Sequence, residues 1–569
     1  LPLFAGLATG LRMDFVRPTS ASAAPYSNPY SMLTWGLAAG SEVSSLGFSV
    51  SHVYSNNVRV DGPTALSLGW SGRPTRHVAV ASVLSNINTP QTRDGAKLDW
   101  TYDLALAIRP LGTRSLEIGL EDRYYGDVER WIPRATLGVD LPYVGRLRGD
   151  FSIDKPNSDD RHYTASAVLD IAASHATLTG GAVFGNNTLD NQSTAGFVGG
   201  IGISSWREPG IPSGKQAFRI RFEETPGNRG HVQLLRKLWR LADDPDYSAL
   251  VLHIKSAPAD STAHASELGD ALDVFRARGK KVLCHLEDAD GRSLQVCSHA
   301  DRIVINPAGG IRFAGLRRES TYLAGLMEKL GVRAEFVRIG AYKSAAEQFT
   351  NTQASDAARA SNLQNLAETE SEFIGEVSHG RHIDPSKLRA SVAHGPFTAR
   401  EALREGLVDG FAYDDEVRTV LSEMVGHSIS LDDSLDKNAP KYFGLQPSVA
   451  LVYLDGNMID GQSRRIPILG TRMAGSYTIA KTFKAVRENP MIEAVVLRIE
   501  SPGGSSMSAD VMWREIELTA REKPVIVSMG KVAASGGYYT AAPAKLIFAT
   551  PYTVTGSIGI FYGKADVSN

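Results

Sequence analysis

"AVVLRIESPGGSSMSAD", residues 494–510, decides how the second half of this chain is read. Its first eight residues are a largely apolar run of strand type, Pro502, Gly503 and Gly504 form a turn, and the small polar residues that follow open a helix. A strand that ends in Pro-Gly-Gly before a helix turns backbone N–H groups toward open space. Glycine permits the φ values and the close approach that such a turn needs. Taken alone, Pro-Gly-Gly is more often only a turn.

The same strand occurs earlier. "ALVLHIKS" (249–256) shares five of eight residues with "AVVLRIES" (494–501). "KKVLCHL" (280–286) matches "KPVIVSM", and "ADRIVINPAGGIRFAG" (300–315) matches "AKLIFATPYTVTGSIG" (544–559), at a nearly constant spacing. Between the strands lie helical stretches such as "HASELGDALDVFRARG", which ends in a glycine. Strand, helix, strand in alternation implies a parallel sheet covered by helices. The sequence therefore predicts two copies of one α/β unit, 216–430 and 447–569. By the first copy's measure roughly a hundred residues of the second are absent, so the expectation is a chain cut at both ends.

Before residue 207 the character differs. "KLDWTYDLALAIRP" sets Leu98, Trp100, Tyr102, Leu104, Leu106 and Ile108 on one face and Asp99, Thr101, Asp103 and Arg109 on the other. "LGFSVSHVY", "LGVDLPYV", "YTASAVLDI" and "FVGGIGISSW" continue the alternation, giving roughly eleven segments between residues 31 and 206. That density suits an all-β, barrel-like domain over 1–206, of outer-membrane type with an apolar outside and a polar lumen. A soluble sandwich or closed barrel with one wet face is the alternative. "SSWREPGIPSGKQ" (204–216) is a linker by composition, with 207–215 as its body.

Composition limits the function. With 569 residues the chain has room for three or four domains, and 43% apolar with 21% charged residues marks a folded protein. A net charge of −2 and the lack of any Lys/Arg tract argue against a nucleic-acid partner. No run of about 18 apolar residues is present. Cys284 and Cys297 cannot make a disulfide framework; two buried thiols are expected, with one bridge as the other option.

Comparing the copies separates scaffold from site. Gly503 and Gly504 have no glycine partners in the first copy, and Ser535 in "KVAASGGYYTAAP" (531–543) faces Gly291. Two convergent N–H groups are what a tetrahedral oxyanion requires, and Gly536 can supply one beside the Pro-Gly-Gly turn. Ser535 then needs a base. The last histidine is His427, so the second copy has none. A lysine must be brought down by roughly 3 pKa units from about 10.4 to serve near neutral pH, and burial can do this. Lys531 sits at a strand end and is expected to face solvent. Lys343 in "FVRIGAYKSAAEQF" (336–349) follows a strand and a Gly340 turn and has small and aromatic neighbours, which makes it the better candidate.

Together "SMGKVAASGGYY", "SPGG", "TVTGSIGI", "GAYKSAAEQF" and "TAREALREGLVDG" resemble the signal peptide peptidase A family, also called protease IV, over residues 216–569. The resemblance implies a tandem ClpP/crotonase-like fold, a Ser535 nucleophile, a Lys343 base and a Ser557 that hydrogen-bonds the lysine. It implies an oxyanion hole from Gly503, Gly504 and Gly536. It further implies an endopeptidase acting on peptides such as cleaved signal peptides, at a bacterial envelope membrane with its active site facing the periplasm. A homo-oligomer is expected, with no cofactor, no metal and no nucleic acid. The family's membrane-anchoring N-terminal helix is not seen, and a β-rich domain stands in its place. A crotonase-like acyl-CoA enzyme and a non-catalytic binding module are the alternatives.

Overall fold

The computed structural model describes residues 2–4, 6–16, 29–41, 43–127, 129–154, 162–186, 193–212, 214–435, 442–467 and 470–566. They fall into two compact units, Leu1–Ser213 with Leu435–Gln446, and Gly214–Ser434 with Pro447–Asn569.

The first unit is a thirteen-stranded sheet in which each strand pairs antiparallel with its neighbour in the chain. The strands from Tyr30–Gly40 to Ser193–Ile203 occupy the span read from the alternation, and Pro2–Phe4 and Leu7–Val16 precede them. Leu11, Met13 and Phe15 alternate with Arg12 and Asp14, so the same signal extends into Leu7–Val16. Among the described residues no ladder joins the first strand to the last. The polarity of the faces is the reverse of a water-soluble sheet. Leu104, Ile118, Leu120, Trp131, Leu137, Leu147 and Phe151 are exposed on one face. The opposite face carries Arg123–Asp103, Arg130–Asp154, Arg134–Asp150 and Arg148–Asp170, whose carboxylates are largely shielded. Period-two alternation in the sequence thus becomes one charged face and one apolar face. Residues 435–446 belong to this unit too, with the Arg109 guanidinium 3.5 Å above the Phe443 ring.

The second unit holds two parallel sheets. One has six strands, in the order Gly410–Phe411, Arg302–Ile305, Lys281–Leu286, Tyr247–Ile254, Gln216–Phe222, Ser430–Asp432. The other runs Ser448–Asp455, Ile492–Ser501, Val525–Ala534, Leu546–Phe548, with Val554–Gly556 also pairing to Val525–Ala534. Helices cover both. Ser506–Glu522 starts where the Ser505 side chain accepts from the Ser508 N–H, an N-cap that satisfies one orphan donor. It buries Ala509, Met512, Ile516 and Thr519, the one-face spacing of a helix laid on a sheet. Met512 and Ile516 pack with Leu454, Phe483, Leu497, Ile499, Val525 and Val527 in one core. Each such side chain contributes about 1.5–3 kcal/mol on burial, which is why these strands are near-continuous apolar runs.

Two expectations are corrected here. Cys284 and Cys297 form a disulfide instead of two thiols, because the turn after Lys281–Leu286 brings helix Gly291–Cys297 back across it, with the Cα atoms 5.8 Å apart. Lys531 does not face solvent alone: its amine is paired with Asp260. No helix among the described residues is long and apolar enough to cross a membrane, a finding that does not bear on strands.

Candidate active site

Ser535 ends the strand Val525–Ala534 and caps helix Gly536–Ala541 with φ 52° and ψ −116°. A non-glycine residue in such a conformation stores roughly 1–3 kcal/mol of strain and persists only where its surroundings hold it. They do so here: the Ser535 N–H donates to Gly556 O at 2.8 Å, and Ser535 O accepts from the Tyr539 N–H at 2.9 Å. The sharp turn from strand to helix leaves the Ser535 side chain half-buried at the strand's end.

The glycines are there for space. At Gly503, with φ +98°, a Cβ would lie 2.7 Å from Gly536 N and 2.9 Å from Ser535 Cβ. At Gly504 it would meet Met458 O at 2.2 Å, and at Gly536 it would meet Met458 Sδ at 2.8 Å. The Pro-Gly-Gly turn is thus pressed against the serine and the residue after it. The three glycines are not equivalent as donors. The Gly503 N–H donates to Ser501 Oγ at 3.2 Å, while Ser501 Oγ itself donates to Gly456 O at 2.6 Å. Gly504 and Gly536 N–H groups donate to no acceptor among the described residues.

Lys343 follows the strand Arg333–Arg338, which pairs antiparallel with Phe561–Asp566, from Arg333 opposite Asp566 to Arg338 opposite Phe561. Gly340, at φ +78°, reverses the chain, and Lys343 caps the short 3₁₀ turn Ser344–Ala346. Arg338 holds the loop, its Nη1 donating to Lys343 O at 3.3 Å and to Glu347 Oε1 at 2.6 Å. Glu347 also accepts from Ser355 through its N–H at 3.0 Å and its hydroxyl at 2.7 Å. Burial opposes the Glu347 charge, but the Ser355 and Arg338 donors outweigh it and lower the pKa.

Lys343 is 6% exposed. Its Nζ donates to Ser557 Oγ at 3.0 Å and to the Ser557 carbonyl oxygen. No carboxylate pairs with it among the described residues, and burial moves its pKa below the ordinary lysine value. Ser557, with φ 49°, follows Gly556, whose carbonyl holds the Ser535 N–H. Ser535 and Lys343 are therefore linked through the adjacent pair Gly556 and Ser557; their side chains share no hydrogen bond.

Sequence reasoning missed the charged network beneath the turn. Arg498 donates to both Glu267 and Glu500. His264 Nε2 lies 2.8 Å from Glu500 Oε1 and its Nδ1 lies 2.7 Å from Asp260 Oδ1. Glu500 also accepts the Lys531 N–H of the serine strand at 3.0 Å. Burial works against charging His264, but Asp260 and Glu500 outweigh it and raise its pKa to about 9. Burial likewise opposes the Glu267 charge, but His231 and Arg498 hold its pKa down at about 2. Helix Thr262–Ala277 is so tied to strand Ile492–Ser501, although more than 200 residues of sequence separate them. The signal for it was Arg498 and Glu500 inside an otherwise apolar strand.

The site thus brings together a serine in a strained turn, two free N–H groups beside it and a buried amine without a carboxylate partner, one residue pair away. Residues 274–428 and 517–569 match peptidase family S49. The chain is 32% identical over 362 residues to Protease 4 of Salmonella typhi, covering 61% of this chain and 57% of that one. It is 30% identical over 358 residues to Protease 4 of Haemophilus influenzae, covering 60% and 57%. Against "Serine protease SPPA, chloroplastic" of Arabidopsis thaliana it is 29% identical over 339 residues, covering 58% and 49%. The chain thus spans about half the length of these relatives. Its α/β part is thus similar to the SppA proteases and to peptidase family S49.

Proposed function

We propose that the protein is a serine endopeptidase in which Ser535 is the nucleophile and Lys343 the general base. Ser535 Oγ attacks the scissile carbonyl as its proton passes to Lys343 Nζ. The oxyanion is met by the Gly504 and Gly536 N–H groups, with Gly503 supplying the turn. Lys343 then gives the proton to the leaving amine, and water, activated by the same lysine, releases the acyl group. Ser557 orients the amine. The observation that carries this reading is a buried lysine with no carboxylate partner, 3.0 Å from Ser557 Oγ and one residue from the carbonyl that holds Ser535.

The substrates follow from the surroundings. Ile339, Tyr342, Ile558 and Ile560 are exposed around the Lys343–Ser557 contact. Such a rim favours extended peptides with small or apolar side chains, added as a strand, of which cleaved signal peptides are an example. It also suits a neighbouring copy in a ring, so we assign the protein to a homo-oligomer. The common order of strand and helix in the two sheets supports reading them as tandem ClpP/crotonase-like copies. In the first, the helix cap is Asp290 and not Gly291, one residue away from the sequence matching with Ser535.

The N-terminal sheet we read as an outer-membrane-type barrel wall. Its strands are mostly 8–12 residues long, near the length needed to cross a bilayer, and its exposed face is apolar. With the disulfide, which persists in oxidising compartments, this favours a bacterial envelope location with the peptidase on the periplasmic side. The test is hydrolysis of a peptide with small apolar side chains by the full-length protein beside its Ser535→Ala variant. Activity is expected from the first alone; equal activity would remove Ser535 from the reaction.

A further inference from the structure

The first sheet contains a second cluster of reactive side chains that the peptidase reading does not use. His253 and His285 are direct partners on adjacent parallel strands, so their rings emerge on the same face. They are 2% and 0% exposed. Asp414 opens the 3₁₀ turn Asp414–Glu416, just after the edge strand Gly410–Phe411. Nδ1 of His253 lies 3.3 Å from Nδ1 of His285 and 3.0 Å from Oδ1 of Asp414.

The outer nitrogens fix what the inner ones can be. His285 Nε2 is 3.0 Å from the Ala412 carbonyl oxygen, which can only accept, so Nε2 carries the hydrogen. His253 Nε2 is 2.9 Å from Glu287 Oε1, again an acceptor. In neutral rings both Nδ1 atoms then present lone pairs to each other and to the Asp414 carboxylate. Three electron-pair donors converge with no donor hydrogen among them, an arrangement that repels itself unless a cation sits between. Metal-bound histidines show this outer pattern, the far N–H given to a carbonyl or carboxylate. Zinc bonds of about 2.0–2.1 Å in a tetrahedron put ligand atoms ~3.3–3.4 Å apart, close to the 3.3 and 3.0 Å that separate His253 Nδ1 from its two neighbours, with all three atoms within 4.8 Å of one another. Asp414 and Glu287 remain partly exposed, which leaves a path for entry and a side for water.

The cluster His231, His264 and Glu267 also brings ligand atoms together but does not compete. There the Arg498 guanidinium occupies Glu267, and both His264 nitrogens are held by carboxylates.

We propose that His253 Nδ1, His285 Nδ1 and the Asp414 carboxylate bind one divalent cation of zinc type, with water in the fourth position. The ion would clip two central strands of the first sheet to the turn that begins helix Val417–Val425. The rival occupant is a proton on His253 shared between Asp414 and Glu287.

The test uses the full chain stripped with a chelator and titrated with Zn²⁺, then with Co²⁺ as a spectroscopic probe. Asp414→Asn is the principal variant, since its partly exposed side chain can change without disturbing the core; His285→Gln is the second. Expected are one zinc per chain, visible absorption of tetrahedral cobalt, a higher Tm with zinc, and affinity at least ten-fold weaker in Asp414→Asn. Zinc uptake below one per chain, or equal affinity in wild type and Asp414→Asn, would overturn the site and leave the proton as its occupant. None of these readouts depends on peptide hydrolysis, so the result stands apart from the fate of the Ser535 reading.

Discussion

Lys343 Nζ donates to Ser557 Oγ at 3.0 Å across 214 residues of sequence. The contact exists because Arg333–Arg338 and Phe561–Asp566 pair as an antiparallel ladder that carries the lysine to the turn at Ser557. The lysine arrives buried and without a counter-ion, so its charge is opposed by desolvation alone.

That opposition has a sign. Because the folded pKa lies below the ordinary lysine value, the unfolded chain binds more protons between the two, and stability rises with pH across that window. The kcat/KM for peptide cleavage should rise over the same limb, as the amine becomes neutral, and level off below the ordinary lysine value. Lys343→Met should abolish cleavage, raise Tm at pH 7 and remove this part of the pH slope. Calorimetry at several pH values beside a pH–rate profile checks both halves.

Gly503→Ala tests the closeness of the turn. Its added methyl would sit 2.7 Å from Gly536 N at a φ of +98° that alanine resists. We expect the Gly536 donor to be displaced and kcat to fall by about 10²–10³-fold, the usual effect of losing one oxyanion donor. Circular dichroism should remain that of the wild type. Unchanged kcat would mean that Gly536 is not such a donor.

The His264 network predicts a second pH dependence. With its folded pKa raised from 6.5 to about 9, His264 contributes stability that is fully present below 6.5 and lost as pH rises through about 9. His264→Gln should lower Tm at pH 6 and flatten the Tm profile between pH 6.5 and 9, measured by thermal unfolding in matched buffers.

On the N-terminal sheet, Leu120 lies among the exposed apolar side chains, 55% exposed and opposite Leu106. If that face meets lipid, Leu120→Arg should cost about 2–4 kcal/mol near the bilayer midplane. Unfolding titrations in vesicles measure it. A water-soluble sheet would instead gain solubility from the same change.

How much of this was legible follows from the range of the interactions. Ser535, the glycines and Lys343 stood out because small residues around one reactive side chain have few other uses, and both signals are local. The strands of the first unit were readable from period-two alternation, yet Leu7–Val16 was passed over although Leu11, Met13 and Phe15 carry that pattern. The Cys284–Cys297 bridge needed the turn that returns helix Gly291–Cys297 over its strand, which spacing alone does not reveal. The commitment of the Gly503 N–H to Ser501 and the pairing of Lys531 with Asp260 depend on rotamers and on contacts between residues far apart in sequence. His253 and His285 looked like ordinary members of apolar strands until the register set them side by side.

The central claim is that Ser535 and Lys343 act as one unit, and a double-mutant comparison tests it most directly. Residues that work together in one step are strongly non-additive. Peptide hydrolysis by Ser535→Ala, Lys343→Ala and the double variant should be reduced to a common residual level, with the second substitution costing nothing further. Wild-type turnover in Lys343→Ala, or losses that multiply in the double variant, would contradict the account.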